Sequence, residues 1–222
     1  MKNPRLVSGI LAALVVLGLV GFIAYDFWLV NHKTNIVLKM PGVVGTTGDD
    51  KSKGDEGSEV APVTKEDLSG YTVAADAPRI LTIDKLGLET RIRPMGLNAD
   101  TSIQAPVNIN DAGWNTGSAK PGEAGAMFID GHASGATRLG AFGSLDTLKN
   151  GDTLTIEKGN GATLTYRVVH VTVVPLEAVD MSKALAPYPG VNKGLNLMTC
   201  TGTWVKESAT LDHRVIVYAE QI

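Results

Sequence analysis

Cysteine is almost absent: the 222 residues contain one, Cys200. A lone thiol excludes an internal disulfide and a zinc site built from several cysteines. There is no excess of basic charge either. Lys and Arg number 20 against 23 Asp and Glu, for a net charge of −3, so the chain lacks the basic face of a nucleic-acid-binding protein. No internal repeat stands out, helix signals are few, and no cluster of side chains has metal-ligand spacing, so no metal or other cofactor is expected. Two roles remain for Cys200, an inert buried thiol or a working one.

What is present first divides the chain. Lys2 and Arg5 precede an uncharged apolar stretch, residues 6–25. As a helix these residues span about 30 Å, the thickness of a bilayer's hydrocarbon core. Basic residues before the span keep the N-terminus inside. The expectation is a cytoplasmic tail at 1–5 and a single membrane anchor at 6–30, with Phe27 and Trp28 at the interface. A cleaved signal peptide is the rival reading. Both place everything after Val30 outside the cytoplasm. Residues 31–77 are rich in Gly, Ser, Thr, Asp, Glu and Lys, as in Gly45-Thr46-Thr47-Gly48-Asp49-Asp50. They read as a flexible stalk, with a random-coil reach of roughly 35–40 Å.

Residues 78–222 read as one folded domain of β texture. Candidate strands cover 80–83, 89–93, 126–130, 153–157, 163–174, 195–200 and 214–219. The run Thr163-Leu164-Thr165-Tyr166-Arg167-Val168-Val169-His170-Val171 is rich in β-branched residues. Gly159-Asn160-Gly161 predicts a hairpin turn. Short helical turns are expected within 140–148 and 178–185. Many short strands with glycine-rich turns suggest a barrel or sandwich.

Three side chains at predicted strand edges could carry chemistry. His132 follows Ala126-Met127-Phe128-Ile129-Asp130-Gly131, Cys200 ends Leu195-Asn196-Leu197-Met198-Thr199, and Arg214 opens Val215-Ile216-Val217-Tyr218-Ala219. Alternation puts Cys200 on one face with Met198 and Asn196, and Arg214 with Ile216 and Tyr218; His213 points the other way. A thiolate attacks a carbonyl, an imidazole stabilises it and protonates the departing amine, and a guanidinium holds the oxyanion. Plain readings stand beside these: His132 as a turn residue, Arg214 as a solvated charge at a strand end. Asp130 and Asp212 could orient His132 or Arg214. His170 reads as structural, and Trp114 and Trp204 as packing.

The pieces together resemble the sortases, membrane-anchored cysteine transpeptidases of Gram-positive bacteria. Pro78-Arg79-Ile80-Leu81-Thr82-Ile83 looks like that family's opening strand. Gly117-Ser118-Ala119-Lys120-Pro121-Gly122-Glu123-Ala124-Gly125 is similar to its G-x-x-P-G-x-x-G segment, and Gly131-His132 to the G-H that carries its histidine. Residues 142–152 resemble the F-x-x-L-x-x-L-x-x-G-D stretch. Leu197-Met198-Thr199-Cys200 matches the T-L-x-T-C signature, with Asn196 in place of its first threonine. The resemblance implies an all-β fold, a sortase-like eight-stranded β-barrel with short helices behind an N-terminal transmembrane helix. It implies that Cys200 cleaves an LPXTG-like sorting signal after its Thr, with His132 as acid/base and Arg214 at the oxyanion. Thr199 and Thr201 are the further substrate or oxyanion candidates. A cell-wall amine would resolve the thioacyl intermediate, and a calcium requirement is left open. Expected partners are surface proteins bearing a sorting signal, a peptidoglycan cross-bridge amine and the membrane, with no nucleic acid. The loop at 175–194 carries no readable signature, although in sortases it shapes the sorting-signal pocket. The alternatives are a membrane-tethered cysteine endopeptidase and a non-catalytic wall-binding barrel.

Overall fold

The computed structural model describes residues 59 and 61–222. The expected cytoplasmic tail, membrane anchor and most of the stalk lie outside the described residues. Among the described residues no helix is long and apolar enough to cross a membrane.

Eight strands close on themselves. They are β1 (Pro78–Ile83), β2 (Leu88–Met95), β3 (Ala112–Asn115), β4 (Gly125–Gly131), β5 (Thr153–Lys158), β6 (Thr163–Pro175), β7 (Lys193–Val205) and β8 (Thr210–Gln221). The order round the barrel is β1-β2-β3-β4-β7-β8-β6-β5, with β5 pairing back to β1. The all-β eight-stranded barrel that the resemblance implies is thus observed, and of the barrel and sandwich left open by the strand pattern the barrel is the one formed. Two neighbours run parallel, β2 with β3 and β4 with β7; the other pairs are antiparallel. The second parallel pair carries the site, because it sets the end of β4 beside the middle of β7.

Alternation explains the core. Met127 and Ile129 of β4, Leu195 and Leu197 of β7, and Val215 and Val217 of β8 point inward with Leu81, Ile83, Ile156 and Phe142. Each such apolar side chain, once buried, contributes about 1.5–3 kcal/mol. The opposite face of β4, β7 and β8 is covered as well. Phe128, Ile216 and Tyr218 pack there against Ala184, Met181, Leu185 and Tyr188 from the β6–β7 loop, and against Ile103 from the β2–β3 connection. The loop carries a short helix, Met181–Ala184, N-capped by Asp180. The second expected helical turn is a 3-10 turn at Leu145–Thr147.

The structure departs from the sequence reading in three places. Strand β3 was not expected; all four of its residues are buried, so no alternation marks it. Strands β7 and β8 run well past Cys200 and Arg214 as one long hairpin, so these residues sit within strands and not at their ends. The C-terminal part of the expected stalk is placed against the barrel. There helix α1 (Lys65–Gly70) has a capping box between Thr64 and Asp67, and Leu68 is buried. Arg79 donates to Leu68 O and Tyr71 O, and Tyr71 Oη donates to Ile92 O at 2.7 Å.

Candidate active site

Three adjacent strands bring the expected residues to one level of the sheet. In the β7–β8 ladder Cys200 stands directly opposite Arg214. In the β4–β7 ladder Asp130 stands opposite Met198. Continuing that register by two residues sets His132, just past the end of β4, level with Cys200. The outward face therefore carries Cys200 and Arg214 in one rank across β7 and β8, with His132 the residue that follows β4. A second rank, Asp130, Met198 and Ile216, lies below it.

A short bond locks the register at this level. Thr199 Oγ1 donates to Gly131 O at 2.7 Å, tying the residue before Cys200 to the residue before His132. Thr199 is buried, and its side chain alternates to the inner face. Gly131 must be glycine here: an added Cβ would lie 2.9 Å from the Phe142 ring.

His132 is 8% exposed. Its Nε2 lies 2.7 Å from Pro106 O, in the β2–β3 connection. A carbonyl only accepts, so Nε2 carries a proton and donates, and Nδ1 is the atom left for proton exchange. The Pro106 carbonyl thereby fixes the tautomer, as a third group does in catalytic triads.

Cys200 is a partly exposed thiol that is in no disulfide. Its Sγ lies 3.9 Å from Thr210 Oγ1. Arg214 Nη2 donates to the same oxygen at 2.9 Å, and Nη1 donates to Leu211 O at 2.7 Å and His213 O at 2.9 Å. A threonine hydroxyl that accepts from a guanidinium can direct its proton toward sulfur, which favours the thiolate. Thr210 was missed by the sequence reading. Its place follows from hairpin register, and only its position four residues before Arg214 hinted at it.

Beyond Cys200 the hairpin is bulged. Thr201 stands opposite His213, and the register slips before Trp204 pairs with Leu211. Gly202 has φ +96°, and a side chain there would strike Asp212. Asp212 accepts from Thr203 N at 2.8 Å and pairs with His213 Nδ1 at 2.7 Å. The His213 hydrogen bond, then the Thr203 N–H, holds the Asp212 carboxyl below the usual range. His213 faces away from Arg214, as expected, and Asp212 engages His213 rather than the guanidinium. Among the described residues no group of three or more His, Cys, Asp and Glu could hold a metal ion.

Residues 81–222 match the family model for the sortase domain. No curated protein sequence matches the chain significantly. Among solved structures, the chain is similar to a lid mutant of sortase A from Corynebacterium diphtheriae, with 28% identity over 64% of this chain and 68% of that one and a TM-score of 0.49. It is similar to sortase C-1 from Actinomyces oris, with 26% identity over 64% and 72% and a TM-score of 0.47. It is also similar to a Clostridium perfringens sortase D5 transpeptidase, with 23% identity over 72% and 89% and a TM-score of 0.48.

Proposed function

The chain belongs to the sortase family, and from that premise we propose that it is a cysteine transpeptidase acting outside the cytoplasm from a single membrane anchor. The observation that carries the reading is Cys200 opposite Arg214, with Thr210 touching both sulfur and guanidinium and the Thr199–Gly131 bond tying the residue before Cys200 to the residue before His132. The Sγ thiolate attacks the threonine carbonyl carbon of an LPXTG-like sorting signal. The oxyanion forms beside the Arg214 guanidinium and backbone N–H groups near Thr201. The C–N bond breaks, and His132 gives its Nδ1 proton to the leaving amine. A thioester remains on Cys200. A cell-wall amine then loses a proton to His132 and attacks the thioester. The C–S bond breaks and a new amide forms. Thr199 serves this site by holding β7 to β4, since its hydroxyl is engaged at Gly131 O.

The test incubates the purified chain with a library of sorting peptides, with and without an amine, and follows products and the Cys200 adduct by mass spectrometry. A thioacyl adduct and an amide found only with the amine are expected. Identical products in both arms would leave a hydrolase. Absence of both cleavage and adduct would overturn the reading.

A further inference from the structure

One rank of the outer face holds the β6–β7 loop, residues 176–192, in place. Across four strands it reads Phe128, Asn196, Tyr218 and His170, each the ladder partner of the next. Asn196 is wholly buried. Its Nδ2 donates to Ala184 O and to Ala186 O, each at 2.7 Å. Both partners only accept, so the amide orientation is fixed by chemistry. Ala184 is the last residue of a four-residue helix, far too short to persist alone, and terminal carbonyls need donors from elsewhere. Further along the loop, Tyr188 stacks on His170 with ring centroids 5.1 Å apart and tilts against Tyr218 at 5.5 Å.

We propose that Asn196 is a positioning residue that fixes the β6–β7 loop as a preformed wall of the peptide site, so that it governs peptide affinity and leaves the thiol chemistry to Cys200. The inference rests on the transpeptidase reading for its substrate. Three observations carry it. Asn196 shares the Cys200 face of β7 but lies four residues, about 13 Å, from it, too far to touch the reacting atoms. The sortase signature has threonine at this position, and one hydroxyl proton cannot serve two carbonyls, whereas the Asn amide supplies two N–H groups. Finally, Asn196 Oδ1 is buried without a hydrogen-bond partner, an unfavourable arrangement that the two loop bonds offset. A wall ordered before binding removes the ordering cost from the binding step.

The test compares wild type, Asn196→Asp and Asn196→Thr in the full chain. Asp keeps the shape but turns an acceptor toward both carbonyls; Thr restores one donor. Amide hydrogen exchange is read over 176–192 against β4 and β8, kcat and KM with a cleaved sorting peptide, and Cys200 alkylation as a control. For Asn196→Asp, exchange over the loop should quicken and KM rise, each at least tenfold. Its kcat and alkylation rate should stay within twofold. Asn196→Thr should fall between. Loop exchange and KM at wild-type values, or a fall in kcat with KM unchanged, would overturn the proposal. If Asn196→Asp loses protection throughout, Asn196→Thr decides on the same two readouts. If wild type turns over no peptide, the transpeptidase reading fails by itself, and loop exchange still decides whether Asn196 is the clamp.

Discussion

Arg214 donates to Thr210 Oγ1 at 2.9 Å, and that oxygen lies 3.9 Å from the Cys200 sulfur. The two charged partners of the proposed chemistry thus share one hydroxyl. Thr210→Val should remove a donor to the thiolate and raise the thiol's pKa. The midpoint of the pH profile for Cys200 alkylation should therefore move upward. An unmoved midpoint would show that the hydroxyl does not act on sulfur.

The guanidinium is held by acceptors at Thr210, Leu211 and His213. Arg214→Ala should lower kcat on a sorting peptide by about 10²–10³-fold, the range seen when one oxyanion donor is removed. Arg214→Lys should recover little, because an ammonium cannot reproduce the planar fork. A Lys variant at wild-type kcat would show that bare charge suffices.

Gly131 makes room for Phe142 next to His132. Gly131→Ala should cost about 1–3 kcal/mol by overpacking, measured by urea unfolding. Adding Phe142→Leu should give a loss smaller than the sum of the two single losses, since the clash is shared. Additive losses would place the strain elsewhere.

Glu59 clasps the loop that follows His132: its carboxylate accepts from Thr137 N and Thr137 Oγ1, each at 2.6 Å. The Thr137 hydroxyl, then the Thr137 N–H, lowers the Glu59 pKa. A depressed carboxyl pKa stabilises the clasp fully above the ordinary value, about 4.3, and that contribution is lost as pH falls through the lower folded value. Exchange at the Thr137 amide, corrected for intrinsic rate, should therefore quicken as pH falls through that lowered value. Glu59→Ala should exchange fast at every pH. Wild-type protection independent of pH would show that the carboxylate is not the clasp.

Much of the barrel was legible in the sequence because β4, β7 and β8 carry apolar runs buried on both faces and β6 is rich in β-branched residues. The four residues Ala112-Gly113-Trp114-Asn115 gave no such signal, being a short segment without a β-branched residue. The extension of the hairpin past Cys200 was illegible for a different reason. Residues 201–209 are mostly exposed or half-exposed and polar, and backbone pairing rather than side-chain burial continues the ladder there. His132, Cys200 and Arg214 stood out by motif. Thr210 and Pro106 did not, because their contacts depend on strand register and on the path of a connection. The capping box Thr64-Lys65-Glu66-Asp67 was a readable start for α1, hidden by the polar composition around it.

The β5–β1 pairing has one more consequence. Once that seam is shut, the body of the barrel offers no free strand border, so an extended guest cannot join it as a ninth strand through main-chain bonds. Recognition must then be read from side chains on the outward surface and from the connections that overhang it. Neighbouring copies of the chain are, by the same geometry, protected from zipping together border to border.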